Sequence, residues 1–137
     1  SYNPSTKKWT STTALGKTSN YTLDQHERVI QTQIGNLNAT DMTYTGDKLT
    51  QVTQGARTTT YTYSPTNGLL TSVTNPLAQT TSYTYDSNER VATITRPDTQ
   101  VINMNYNSVG QLASIQPVSK PTHTFSFNAS ELMSAYT

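Results

Sequence analysis

The sequence predicts an all-β protein: tandem β-hairpin repeats of about 21 residues each, forming a continuous twisted antiparallel sheet strip. Three observations carry that expectation. An aromatic-rich strand, a polar turn and a second apolar-containing strand recur seven times in 137 residues, at steps of 19 to 22. The apolar residues fall into aligned columns, with no sustained helical period. Gly, Pro, Asn and Ser punctuate the units at matching places. A fixed period of this length marks one supersecondary unit stacked on copies of itself, because such a unit cannot bury its apolar side chains alone.

The elements follow in chain order. The second aromatic of each unit stands at Tyr2, Leu23 (the aliphatic exception), Tyr44, Tyr63, Tyr85, Tyr106 and Phe127. Two positions earlier come Tyr21, Met42, Tyr61, Tyr83, Met104 and Phe125. Residues two apart project to one face of a strand, so each pair shares a face. After the turn comes an apolar column of Trp9, Val29, Leu49, Leu70, Val91, Leu112 and Met133. Three residues on lies a second column, Thr12, Thr32, Val52, Val73, Ile94, Ile115 and Tyr136.

The fourth unit shows why each is a hairpin. Thr58 to Tyr63 is β-branched and aromatic, which suits a pleated surface. Ser64-Pro-Thr-Asn-Gly68 is turn chemistry, and Leu69 to Thr74 makes the return strand. Pro76, Pro97 and Pro117 are expected just after return strands, where no ladder donor is lost. Asn20 to Ile34 is the nearest approach to a helix, but Thr and Gln interrupt it. Two apolar columns three residues apart pose a question, since a regular strand would turn them to opposite faces. Either a bulge realigns them, or both faces of the sheet meet packing.

Composition narrows the function. Nine basic and eight acidic residues leave a net charge of +1, which disfavours nucleic acid as a partner. No apolar run is long enough for a membrane span. With no cysteine there is neither disulfide nor thiolate metal site. The expectation is a non-enzymatic protein with no catalytic, metal or cofactor site. His26 and His123 lie in different units, and no Gly-x-Ser-x-Gly elbow frames any serine. Asp24 with Arg28, and Asp86 with Arg90, are placed to pair across their turns and fix register. The tyrosines at 61, 63, 83, 85 and 106 permit two readings, cross-strand packing or an exposed platform for stacking sugars. Exposure of those rings separates the two.

The run Tyr83-Thr-Tyr85-Asp86, a short turn, Arg90-Val91, then Ile94 and Pro97 resembles the YD repeat of the Rhs proteins. The pattern is carried by Tyr21, Asp24, Arg28, Tyr44, Tyr61, Tyr63, Gly68, Tyr83, Tyr85, Asp86, Arg90, Tyr106, Gly110, Phe125 and Phe127. It departs from the family at the Asp place, held by Asn3, Thr45, Ser64, Asn107 and Asn128 in other units. Glu27, Glu89 and Glu131 stand at the turn glycine's place. The resemblance covers residues 1–137 as a single YD-repeat array of about seven hairpins, expected to be a fragment of a larger protein. It implies a structural shell segment that encapsulates or delivers a toxin domain. The implied partners are the rest of the YD shell and the enclosed toxin, and the implied location is secreted or at the cell surface, as an exported bacterial toxin component. The alternative is a cell-surface adhesion or carbohydrate-binding repeat module.

Overall fold

The computed structural model describes residues 1–137 as fourteen β-strands with no helix. The strands are β1 (Tyr2–Asn3), β2 (Lys8–Thr12), β3 (Thr18–Leu23), β4 (Val29–Ile34), β5 (Thr40–Thr45), β6 (Lys48–Gln54) and β7 (Arg57–Tyr63). They continue with β8 (Leu70–Thr74), β9 (Thr80–Tyr85), β10 (Val91–Thr95), β11 (Val101–Tyr106), β12 (Leu112–Pro117), β13 (His123–Phe127) and β14 (Met133–Tyr136). Strand order in the sheet is chain order, β1 to β14. Asn20 to Ile34 is thus strand, as β3 and β4. One expectation is corrected: Pro117 does not follow its return strand but ends it, opposite Ile102. At a strand's last residue the missing N–H costs the ladder little.

Two compact groups of residues make up the chain. The first comprises Ser1–Thr62 with Thr74–Ala78, and the second Tyr63–Val73 with Gln79–Thr137. Within each, every side chain keeps contact with solvent, for no apolar or polar residue is fully buried. Cohesion therefore rests on ladders and cross-strand pairs, each pair worth about 0.2–1 kcal/mol.

A bulge in the return strand resolves the three-residue spacing. In the second group Tyr85 opposes Val91 and Thr84 opposes Thr93, leaving Ala92 without a partner. Tyr106 opposes Leu112 and Asn105 opposes Ser114, leaving Ala113. Phe127 opposes Met133 and Ser126 opposes Ala135, leaving Ser134. The first group repeats the device, with Ile30 skipped after Leu23–Val29 and Thr50 after Tyr44–Leu49. Past each bulge the second column meets the first aromatic position, held by Tyr or Met, as in Val52–Met42, Ile94–Tyr83 and Ile115–Met104. One extra residue thus puts both apolar columns and both aromatics on one face.

The opposite face is a ladder of small polar side chains. Thr10 bonds Asn20 at 2.8 Å, and Gln31 bonds Asp41 at 2.7 Å. Thr84 bonds Thr93 at 2.7 Å, and Asn105 bonds Ser114 at 3.0 Å.

Length changes are confined to turns. The 19-residue step from Tyr44 to Tyr63 arises because two-residue turns, Gly46-Asp47 and Gly55-Ala56, replace longer ones. The longer hairpin turns all place one residue in the left-handed region: Lys7 (φ 50°), Glu27 (φ 62°), Gly68 (φ 71°), Glu89 (φ 61°), Gly110 (φ 90°) and Glu131 (φ 61°). Glycine adopts this conformation freely and glutamate does not. Glu89→Gly is therefore expected to raise stability by up to about 1 kcal/mol, measured as a shift in the urea midpoint.

Candidate functional site

The one constellation that recurs along the chain is a polar clasp at the hairpin turns. It begins with the residue at the Asp place. Asp86 Oδ1 accepts the N–H groups of Asn88 (2.9 Å) and Arg90 (3.0 Å). Asp86 Oδ2 accepts Arg90 Nε at 2.8 Å and lies 2.7 Å from Arg90 Nη2. The second hairpin is built alike. Asp24 Oδ1 accepts the His26 N–H at 2.8 Å and the Arg28 N–H at 3.0 Å, while Oδ2 takes Arg28 Nε at 2.8 Å.

Units with Asn or Ser at the Asp place keep the turn and drop the charge. Asn107 Oδ1 accepts the Val109 and Gln111 N–H groups at 3.1 and 2.9 Å, and its Nδ2 donates to Gln111 Oε1 at 2.8 Å. Asn128 caps Ser130 and Leu132 at 2.9 and 3.0 Å. Ser64 Oγ accepts more distantly from Thr66 and Asn67, at 3.3 and 3.4 Å, and Gly68 N–H closes that turn on the Ser64 carbonyl at 2.9 Å. A short polar side chain that bonds its own backbone two residues on is what the turn requires. Charge is an addition to it.

The arginine then reaches the next hairpin. The Arg28 guanidinium lies over the Tyr44 ring, 4.4 Å from its centroid, and Arg90 lies over Tyr106 at the same distance. Arg28 Nη1 also donates to the Gly46 carbonyl in that following turn. The tyrosines answer in the other direction. Tyr44 donates its hydroxyl to the Val29 carbonyl (3.2 Å), Tyr85 to Leu70 (2.8 Å) and Tyr106 to Val91 (3.0 Å). Each acceptor belongs to the first apolar column of the preceding hairpin. This link was not foreseen from the sequence, although its signal was present as a constant offset of 15 residues.

Electrostatics follow from the geometry. Burial pushes the Asp24 carboxyl up, but the Arg28 backbone and side-chain bonds, the His26 N–H and the Arg28 charge outweigh it, and its pKa falls to about 2. Asp86 is lowered by its Arg90 side-chain bond first, then by the Arg90 N–H, against burial and with help from Asn88. Burial raises the Tyr85 hydroxyl, and the neighbouring Tyr83 adds to the shift. A carboxylate with a depressed folded-state pKa stabilises fully above its unfolded value, about 3.9, and that stability is lost as pH falls through the folded value. For Asp24 the window runs from about pH 4 down to about pH 2. Urea midpoints measured across it should fall, and Asp24→Asn, which keeps the cap, should flatten the dependence.

The remaining sequence candidates fall into place around the clasp. Tyr61, Tyr63, Tyr83 and Tyr85 are half-buried and form no exposed row. Tyr21 is 38% exposed, while Phe125 is half-buried, its ring 5.4 Å from Tyr136. His123 Nδ1 lies 2.6 Å from the Tyr136 hydroxyl, whereas His26 sits in an exposed turn with Gln25. The site's chemistry is that of fastening one hairpin to the next.

Fold and clasp together define a protein of hairpin repeats whose units are joined by tyrosine, aspartate and arginine. The family model for the teneurin YD-shell matches residues 1–137, the whole chain, and the chain belongs to that family. No curated protein matches it significantly. Among solved structures it is similar to the crystal structure of TcdB2-TccC3-Cdc42, at TM-score 0.71 and 20% identity over 85% of this chain and 7% of that one. It is likewise similar to a Photorhabdus luminescens Tc holotoxin pore carrying a TccC3 mutation, at TM-score 0.70 and 20% identity over 85% of this chain and 6% of that chain. A third similar structure is TcdB2-TccC3 without its hypervariable C-terminal region, at TM-score 0.70 and 18% identity, over 85% and 7% of the two chains. At these identities the likeness is one of fold. The chain spans 6–7% of the length of these structural relatives.

Proposed function

We propose that this chain is a stretch of wall in a YD shell that encloses a toxic polypeptide, with a structural and not an enzymatic role. The observation that carries the reading is the clasp from one hairpin to the next, in a chain that belongs to the YD-shell family. A wall needs stiffness from repeated joints, and the Tyr-to-carbonyl bonds are such joints, two of the three with an Arg–Asp buttress. The polar ladder suits a surface that a cargo touches with few ionic traps, since its contacts run through Thr, Asn, Ser and Gln, with Asp41 the charged member among them. The similarity in fold to TcdB2-TccC3 assemblies supports export as part of a toxin complex. Half-burial of Tyr61, Tyr63, Tyr83 and Tyr85 turns those rings toward packing and away from a sugar platform.

The test is direct. The coding region should be expressed together with the sequence that flanks these residues in its gene, and the product imaged by electron microscopy. A hollow shell containing density that proteolysis reaches only after denaturation is the expected result. A solid or extended particle, or one whose inner density is cut in the native state, overturns the proposal.

A further inference from the structure

The turn between β7 and β8 is capped more weakly than its counterparts. Its capping atom is a hydroxyl, Ser64 Oγ, which accepts the Thr66 and Asn67 N–H groups at 3.3 and 3.4 Å. At the same place Asp86, Asn107 and Asn128 each accept two N–H groups, at 2.9–3.1 Å. Longer bonds hold a turn less firmly, and a hydroxyl has no second polar atom with which to brace the return strand. The same turn carries the one Asn-Gly step in the chain, Asn67-Gly68. Asn67 is exposed, and Gly68 has no Cβ to keep a neighbouring side chain from its backbone nitrogen. Asn67 Oδ1 accepts the Leu69 N–H at 3.2 Å, which folds the side-chain amide back toward the Gly68 peptide. Asn107, by contrast, is fastened at both ends of its amide, Oδ1 by two N–H groups and Nδ2 by Gln111 Oε1 at 2.8 Å.

We infer that Asn67 is a site of spontaneous deamidation, where the chain acquires a carboxylate as it ages. The Gly68 nitrogen loses its proton and attacks Asn67 Cγ. The new C–N bond closes a succinimide ring, the Cγ–Nδ2 bond breaks, and Nδ2 takes up a proton and leaves as ammonia. Water then opens the ring at either carbonyl, giving aspartate or isoaspartate at position 67. In the closed turn the Gly68 N–H donates to the Ser64 carbonyl at 2.9 Å, so that bond has to open before the attack. The long Ser64 cap eases the opening, because an exposed turn opens locally well before the whole sheet unfolds. The product cancels the net charge of +1 by placing an acid in a turn that has no charged residue. Isoaspartate also lengthens the backbone between β7 and β8 by one carbon, in a turn whose left-handed residue is Gly68.

Incubating the 137-residue chain in mildly alkaline buffer and mapping its peptides by mass spectrometry tests the inference. Asn67 should convert about tenfold faster than Asn107 or more, the ratio that about 1.4 kcal/mol of easier opening gives. An Asn-Gly step is the more reactive even in an unfolded chain, so the cap needs its own test. Ser64→Asn and Ser64→Asp give the turn the cap of its neighbours, and β-sheet circular dichroism checks that each variant folds. Both should slow conversion at Asn67 several-fold in the folded chain and leave its rate in concentrated urea unchanged. Conversion at Asn67 no faster than at Asn107 overturns the inference. So does a folded-state rate that neither variant slows beyond its effect in urea.

Discussion

Asn103→Pro will lower stability by about 2–4 kcal/mol, although Asn103 is an exposed side chain on the polar face. The reason lies in the backbone. Asn103 opposes Thr93 of β10 on one side and Gln116 of β12 on the other, so its amide sits in the interior of the sheet. Proline has no N–H to donate and leaves a neighbouring carbonyl without its bond. The lost bond is worth about 0.5–1.5 kcal/mol net, and the orphaned acceptor adds about 1–3. Asn103→Thr, which keeps the amide and adds β-branching, should be neutral or slightly stabilising. Urea midpoints for the two variants decide the matter. Equal values would mean that β11 is not held by ladders on both sides.

The hairpins themselves were legible because their signal is redundant. Seven aligned aromatics and seven aligned apolar residues specify strands even where single members fail, as at Leu23. The turn places were legible for the same reason. Glu27, Glu89 and Glu131 take up the left-handed conformation that the glycine column implies, despite the strain that costs them. The bulge was only half legible. A spacing of three between Val91 and Ile94 signals an irregularity, but it does not say whether the strand bulges or packs on both faces. Opposition of Tyr85 to Val91 and Tyr83 to Ile94 settles it, and opposition is a relation between strands that one strand's pattern does not contain.

The clasp was less legible still. Pairing of Asp24 with Arg28 and Asp86 with Arg90 is local and was readable from the i,i+4 spacing. Arginine over the next tyrosine, and that tyrosine's bond to a backbone carbonyl, join residues 15 or 16 apart. A carbonyl carries no residue identity, so any side chain could have stood at Val29, Leu70 or Val91 without altering the acceptor. Only the constant offset marks it.

The joint between hairpins gives the second large expectation, centred on Tyr85. Tyr85→Phe removes the hydroxyl bonded to the Leu70 carbonyl and should cost about 1 kcal/mol. Tyr85→Ala also removes the ring opposite Val91, and should cost about 2–4 kcal/mol, since the side chain is half-buried rather than enclosed. The next joint shares a residue with this one. Val91 packs opposite Tyr85 and offers its carbonyl to Tyr106. Tyr85→Ala should loosen Val91, so that Tyr106→Phe costs less in that background than in the wild type. A double-mutant cycle on urea midpoints is expected to show coupling of about 0.5 kcal/mol or more. Strict additivity would mean that each joint acts alone and that stiffness is not passed along the chain. Coupling through Val91 would make every hairpin the support of the next, as nearest-neighbour repeat arrays require.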